Sequence, residues 1–210
     1  MTIVISLGGS FLFENPEKIN ELNRVIHHSN QNFIIICGGG RLAREYIKFA
    51  SLFKLKPEDM HLVGIKSTII NALIVNKVLG GELYEGDPRK IKDKKLVVTG
   101  GFEVGWTTDI CAAYAAVASK SKAIFNLSKE EGVYDKDPSK FDDAKLLKTL
   151  SFETLYKINR GRRVPGMNFI FDPQAGVICK NNGIKVIVTN KISDIARFIK
   201  CKEFSGTLIE

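Results

Sequence analysis

The chain has 210 residues, 44% hydrophobic and 26% charged, which is enough for one sizeable core and too apolar for a disordered chain. Its 31 lysines and arginines against 23 acidic residues leave a formal charge of +8, favouring anionic partners such as nucleotide, phosphate or nucleic acid. The four cysteines, Cys37, Cys111, Cys179 and Cys201, form no Cys-x-x-Cys pair, which argues against a zinc site or redox dithiol and for buried thiols in a reducing cytoplasm.

The N-terminus "MTIVISLGG" is too short an apolar run for a signal peptide, and no run reads as long enough to span a membrane. "TIVISL" (2–7) is the first predicted strand, and it exits into Gly8, Gly9 and Ser10. A helix over 16–29 leads to the strand "NFIIIC" (32–37), which runs into "GGGRLAR". Three consecutive glycines let another molecule approach the backbone, and the helix that follows offers unpaired N–H donors and a positive dipole end, so the stretch reads as an anion site. Helices follow over 41–53 and 57–79, then a weakly patterned stretch over 80–94 whose "RKIKDKK" reads as a solvated connector. The strand "KLVVTG" (95–100) exits into "GGFEVGWTTD", which opens a helix over 107–120. The strand "KAIFNL" (122–127), helices over 151–158 and 173–182, the strand "IKVIVTN" (184–190) and a helix over 191–200 complete the pattern. Residues 159–171, with "RGRRVPG", read as a mobile loop.

Strands alternating with helices predict an α/β fold with a mostly parallel sheet covered on both faces. In such sheets ligands sit beyond the carboxyl ends of the strands, and three of those exits are glycine-rich here. Neither the G-x-G-x-x-G dinucleotide fingerprint nor the G-x-x-x-x-G-K-[ST] phosphate loop is present, which argues against a dehydrogenase and a Walker-type NTPase. Basic residues do not interleave with aromatics as they do on base-stacking surfaces, so nucleic acid is a minor hypothesis.

The motifs "SLGGS", "GGGRLAREY", "GIKSTIINA", "TGGFEVGWTTD", "EGVYDKDP", "DPQAG" and the ending "GTLIE" resemble the amino-acid kinase superfamily, and within it the archaeal uridylate kinase branch. The resemblance covers essentially the whole chain, in the family's order and spacing. It implies a three-layer α/β/α sandwich, a single domain over 1–210 with an acceptor half over about 1–120 and an ATP half over about 121–210. It also implies magnesium-dependent transfer of the ATP γ-phosphoryl group to UMP, ATP and Mg²⁺ as cofactors, a cytoplasmic homohexamer, and no membrane partner.

By that resemblance, Gly8, Gly9, Ser10 and Arg44 stand where the family carries out phosphoryl transfer. Ser6, Gly9, Ser10, Gly40, Arg44, Ser128, Lys129, Tyr134 and Asp137 match the ATP side. Gly39, His61, Phe102, Gly105, Trp106, Thr107 and Thr108 match the acceptor side. Thr107 and Thr108, opening a helix, can cap it and bind a phosphate together. "YDKDP" is also a good turn sequence in its own right, and Asp109 reads equally as helix N-terminal charge.

Several positions depart from the family pattern. Ser6 replaces a superfamily lysine, and Val177 stands where the archaeal branch has a lysine in "DPLAAK". His61 replaces the aspartate that holds the UMP ribose, Ile69 an arginine, Val104 the acceptor-loop proline, Ser128 a threonine and Lys129 an asparagine. With both lysines missing, the resemblance leaves three readings. One is an active kinase for UMP or another small phosphorylated acceptor, its cation supplied by Arg44, Lys129 or the loop arginines Arg160, Arg162 and Arg163. Another is a catalytically impaired nucleotide-binding relative serving as sensor, storage or assembly protein. The third is an RNA-binding scaffold.

Overall fold

A computed structural model describes residues 1–91, 94–161 and 170–210, with residues 160 and 161 described by their backbone alone. The expectations placed on Arg160, Arg162 and Arg163, and on most of the loop at 159–171, therefore fall outside the described side chains.

The sheet is built from short β-branched runs. β1 (Thr2–Leu7), β2 (Asn32–Cys37), β4 (Leu96–Thr99), β5 (Ala123–Leu127) and β9 (Lys185–Thr189) are buried along nearly their whole length. Burial on both faces is what a parallel sheet between helix layers requires. β3 (Glu82–Leu83), β8 (Thr149–Leu150) and β10 (Thr207–Ile209) extend it to eight strands in the order β3-β4-β2-β1-β5-β9-β10-β8. All pairings are parallel except β10 with β9. A separate antiparallel pair joins β6 (Val133–Tyr134) to β7 (Leu146–Leu147).

Alternate side chains of each strand feed two cores. Val4, Ile34, Val97, Ile124 and Val186 pack with α5 (Thr108–Ala118), α6 (Phe152–Gly161) and α7 (Pro173–Asn181) on one face. Ile3, Ile5, Phe33, Ile35 and Phe125 pack with α1 (Gly9–Glu14), α2 (Lys18–His27), α4 (Pro57–Leu79) and α8 (Ser193–Ile199) on the other. α3 (Gly40–Ser51) lies against α4. The three-layer α/β/α expectation holds.

The chain lays β2, β4 and β3 on one side of β1 and then crosses to β5 on the other, so the connection order reverses at β1. The parallel register aligns Leu7 with Cys37 and with Leu127, and Ile36 with Thr99. The exits at Gly8, Gly38, Gly100 and Ser128 therefore share one edge of the sheet, the edge at which such folds bind ligands.

Four details differ from the sequence reading. α1 begins inside "GGS", which the sequence marks only as a strand exit with no helix until residue 16, and it is only six residues long. Cys201 is exposed, whereas Cys37, Cys111 and Cys179 are buried, and all four are unpaired. α4, at 23 residues with a mean hydropathy of 1.5 over its most apolar window, is long and apolar enough to span a bilayer by length and composition. It nevertheless packs on β2, β3 and β4 and carries the buried polar residues Ser67, Thr68 and Asn71, as a core helix does. Arg89, expected on a solvated connector, instead lies beside the rings of Trp106 and Tyr114.

Candidate active site

Two glycine loops meet at the centre of the shared edge. The Gly38 amide donates to the Leu7 carbonyl at 2.8 Å and the Gly8 amide to the Leu127 carbonyl at 2.9 Å, which ties the exits of β2, β1 and β5 together. From α4, the Asn71 side-chain amide donates to the Gly38 carbonyl at 2.7 Å. Gly40 has φ +55°, a conformation that favours glycine, and opens α3 directly against Gly9. A Cβ on Gly9 would stand 2.3 Å from the Gly40 nitrogen. The glycines are required first for loop-on-loop packing, and their approach to a ligand follows from that packing.

Around these loops runs an open cleft of about 1060 Å³. It brings together Ser6, Gly8, Gly9, Ser10, Gly39, Gly40, Arg44, His61, Trp106, Thr107, Thr108, Ser128, Lys129, Tyr134 and Asp137. Of the residues expected in the site, Phe102 and Gly105 do not line the cleft. They lie on the loop that carries Trp106, and the Gly105 amide donates to His61 Nδ1 at 3.1 Å. That bond leaves Nδ1 as the acceptor and puts the ring proton of neutral His61 on Nε2. Val177 is 58% exposed and Ile69 is half-buried, and neither lines the cleft. A lysine at position 177 would therefore start outside it.

Several hydroxyls are already committed. Thr107 Oγ1 caps α5 by accepting from the Ile110 amide at 3.3 Å, and its proton goes to Asp172 Oδ2 at 3.0 Å. The Thr107 hydroxyl thus has no proton left for a phosphate. Ser128 closes its own turn by accepting from the Glu130 amide and donating to the Glu130 carbonyl. Asp137 accepts from both the amide and the hydroxyl of Ser139, so it serves as a turn residue while lining the cleft.

Two carboxylates that sequence reasoning did not place in the site form part of its wall. Asp109, in the first turn of α5, accepts from Ser6 Oγ at 2.8 Å and from the Asp172 amide at 3.1 Å. Asp172 caps α7 through the Gln174 and Ala175 amides. Asp109 is half-buried, and removal from water pushes its carboxyl up to about 6, with the Asp172 charge acting in the same direction and the two hydrogen bonds opposing it. The signals available in the sequence were the "TTD" that opens a helix and the "DP" that opens another. Both are ordinary capping patterns, so neither marks a ligand site by itself.

The charge pattern suits a nucleotide held with a cation. Among described lining residues the fixed positive charges are Arg44, whose Nη2 donates to Ser10 Oγ at 3.3 Å, and Lys129. The carboxylates are Asp109, Glu130, Asp137 and Asp172. No group of three potential metal ligands occurs among the described residues. Mg²⁺ does not need one, since it binds through one or two carboxylates together with substrate phosphates and water.

Comparison with known proteins gives a consistent result. The profile of the amino acid kinase family matches residues 1–190. A uridylate kinase of Sulfurisphaera tokodaii is 32% identical, with 100% of this chain and 99% of that protein covered. One of Thermoplasma volcanium is 31% identical over 100% of this chain and 97% of its own length. The crystal structure of uridylate kinase from Archaeoglobus fulgidus superposes with a TM-score of 0.83 at 30% identity, covering both chains completely. With the glycine loops, the strand order and the cleft in their observed places, the chain belongs to the amino acid kinase family and stands there with the uridylate kinases.

Proposed function

We propose that this protein transfers the γ-phosphoryl group of ATP to UMP. The observation that carries the reading is full-length similarity to uridylate kinases combined with one cleft walled by both halves of the chain. Elements from 1–120 hold the acceptor, and the 128–139 segment of the second half holds the nucleoside of ATP. Phosphoryl transfer of this kind depends on positioning and on neutralisation of charge, and the cleft supplies both.

In this reading the Gly8–Gly9 and Gly39–Gly40 backbones cradle the transferring group, and Arg44 and Ser10 orient phosphate oxygens. Lys129, Tyr134 and Asp137 frame the nucleoside, and Thr108 with Gly39 faces the acceptor phosphate. Asp109 and Asp172 are the carboxylates that fit Mg²⁺, which when bound neutralises charge on the ATP phosphates.

The protein acts as a homo-oligomer, a hexamer by its resemblance. What supports assembly is a set of exposed apolar side chains on α3, the turn after it and α4: Phe49, Leu52, Phe53, Leu62, Ile74 and Val78 are 45–74% exposed. A cytoplasmic location agrees with four unpaired thiols.

The test is ADP release with ATP, Mg²⁺ and a panel of nucleoside monophosphates. UMP is expected to give the highest kcat/KM. Failure of every nucleoside monophosphate to raise ADP release above the ATP-only background would overturn the reading and return the chain to the impaired nucleotide-binding alternative, which no observation here favours.

A further inference from the structure

The glycine loops account for phosphate binding and leave recognition of the acceptor's body unassigned. Trp106 is the chain's only tryptophan, and it lines the cleft together with His61 and Thr107. It is half-buried, packed against the core formed under α5. Tyr114 of α5 stacks on it, with ring centroids 4.6 Å apart and planes inclined by 27°. The guanidinium of Arg89 stands 5.1 Å from the indole centroid and 5.8 Å from the phenol centroid.

Those three distances make a nearly equilateral triangle. A guanidinium lying on the far side of the indole would be separated from Tyr114 by close to the sum of the other two distances. Arg89 therefore sits beside the stacked pair and leaves the indole face opposite Tyr114 uncovered by it. Phe102, 6.3 Å away and tilted by 60°, does not cap that face as a parallel ring would.

Arg89 is itself fixed from behind. Its Nε donates to both oxygens of Asp87 at 2.9 and 3.0 Å, and its Nη2 donates to Oδ2 at 2.9 Å. Asp87 also accepts from the Arg89 amide, and Tyr84 donates to the Asp87 carbonyl. A planar guanidinium held in a carboxylate fork against two rings is confined to one geometry. Asp87, Arg89 and Tyr114 do not line the cleft.

We infer that Trp106 is the platform on which the planar base of the acceptor stacks, and that Asp87, Arg89 and Tyr114 are positioning residues that set the plane of the indole without touching the acceptor. The inference rests on the reading that this cleft phosphorylates a nucleoside monophosphate. Stacking on an aromatic face tolerates every base, so the platform selects base-bearing acceptors over plain sugar phosphates and leaves the choice among bases to other groups.

The sole tryptophan makes the test direct. Without ATP, UMP is expected to quench its fluorescence saturably, whereas ribose 5-phosphate leaves the emission unchanged and competes at least about ten-fold more weakly. In the kinase assay, Trp106→Ala is expected to raise KM for UMP about ten-fold with kcat within about two-fold, and Trp106→Phe to recover most of the loss. Asp87→Ala is expected to raise KM for UMP roughly three-fold while kcat and KM for ATP stay unchanged, a split that general destabilisation would not give. Equal quenching by ribose 5-phosphate, or a Trp106→Ala enzyme with unchanged KM for UMP, would overturn the inference. If Trp106→Ala fails to fold, the titration of the unaltered protein decides. Failure of the kinase reading is separate, because it shows as absent ADP release, while the quenching is measured without ATP.

Discussion

Gly9 and Gly40 pack backbone against backbone: a Cβ added to Gly9 would lie 2.3 Å from the Gly40 nitrogen, and one added to Gly40 would lie 2.3 Å from the Gly9 carbonyl carbon. No side-chain rotation relieves either clash, so any larger residue must separate two loops that together form the phosphate cradle.

Gly9→Ala and Gly40→Ala are therefore expected to lower Tm by about 2–12 °C, since overpacking costs roughly 1–3 kcal/mol and each kcal/mol shifts a chain of this size by about 2–4 °C. Both should also lose the Tm rise produced by an ATP analogue. Gly105→Ala is the control. Its φ of +90° carries backbone strain, but an added Cβ meets no atom within 4 Å, so the ligand-induced rise should survive. Scanning fluorimetry with and without the analogue measures both effects, and an intact rise in Gly9→Ala would remove this loop from the site.

Arg44 is the described cation placed against the glycine loops, through Ser10. Arg44→Ala is expected to lower kcat by about 10²-fold, the scale on which removal of one donor to a developing charge is felt. Arg44→Lys should recover only part, because a point charge cannot make paired contacts to phosphate oxygens. Val177→Lys should change kcat by less than about two-fold, since residue 177 is exposed and lies outside the cleft lining. Steady-state ADP release distinguishes these outcomes, and a large gain from Val177→Lys would show that residue 177 reaches the transferring group.

Asp109 gives a pH signature. Its carboxyl stands at about 6 in the folded protein, above the ordinary 3.8, so between those values the native state keeps a proton that the unfolded chain has lost. Stability therefore falls as pH rises through that window, and the loss is complete above about 6. Asp109→Asn removes the titration. Its Tm advantage over the unaltered protein should be near zero at pH 4, grow with pH and level off above pH 7 at about 6–12 °C, because a carboxyl raised from 3.8 to about 6 costs about 3 kcal/mol when ionised. Turnover should fall at least about ten-fold in the same variant if Asp109 holds the metal, so the substitution stabilises and inactivates together. A Tm difference that does not vary with pH would contradict the placement of Asp109 in a desolvating site.

His61 ties α4 to the acceptor loop through Gly105. Asp at this position can still accept from the Gly105 amide and adds a second oxygen for a ribose hydroxyl. His61→Asp is therefore expected to lower KM for UMP several-fold, and His61→Ala to raise it. Equal KM values in all three proteins would show that the ribose is held elsewhere.

The exposed apolar residues of α3, the turn after it and α4 predict the assembly. Light scattering should find a mass that is a multiple of the 23.4 kDa chain, and the pair Phe53→Glu, in the turn after α3, and Ile74→Glu, on α4, should lower it, because both apolar side chains are more than half exposed. A monomeric unaltered protein would leave these residues without their proposed partner.

The sequence by itself determined the elements whose signals are local. β-branched runs marked the five long strands, and Pro57 with Gly80 bounded α4 at the expected ends. The glycine exits marked the ligand edge, because a parallel sheet must bring them there. Other lining residues, among them His61, Lys129, Tyr134 and Asp137, were marked by the family resemblance and not by any local pattern. Tertiary structure alone decided what depends on through-space pairing. Ser6 meets Asp109 across 103 residues, and Asp109 meets Asp172 across 63. Arg89 leaves its basic run to lie beside Trp106, and β10 pairs antiparallel to β9 after a helix that could equally have led to a parallel strand. Val177 turns outward because Ala175, Gly176 and Cys179 take the buried face of α7. Spacing along a chain fixes which face of an element is apolar. Which polar groups then face one another depends on the order in which strands and helices stack, and packing of the whole core settles that order.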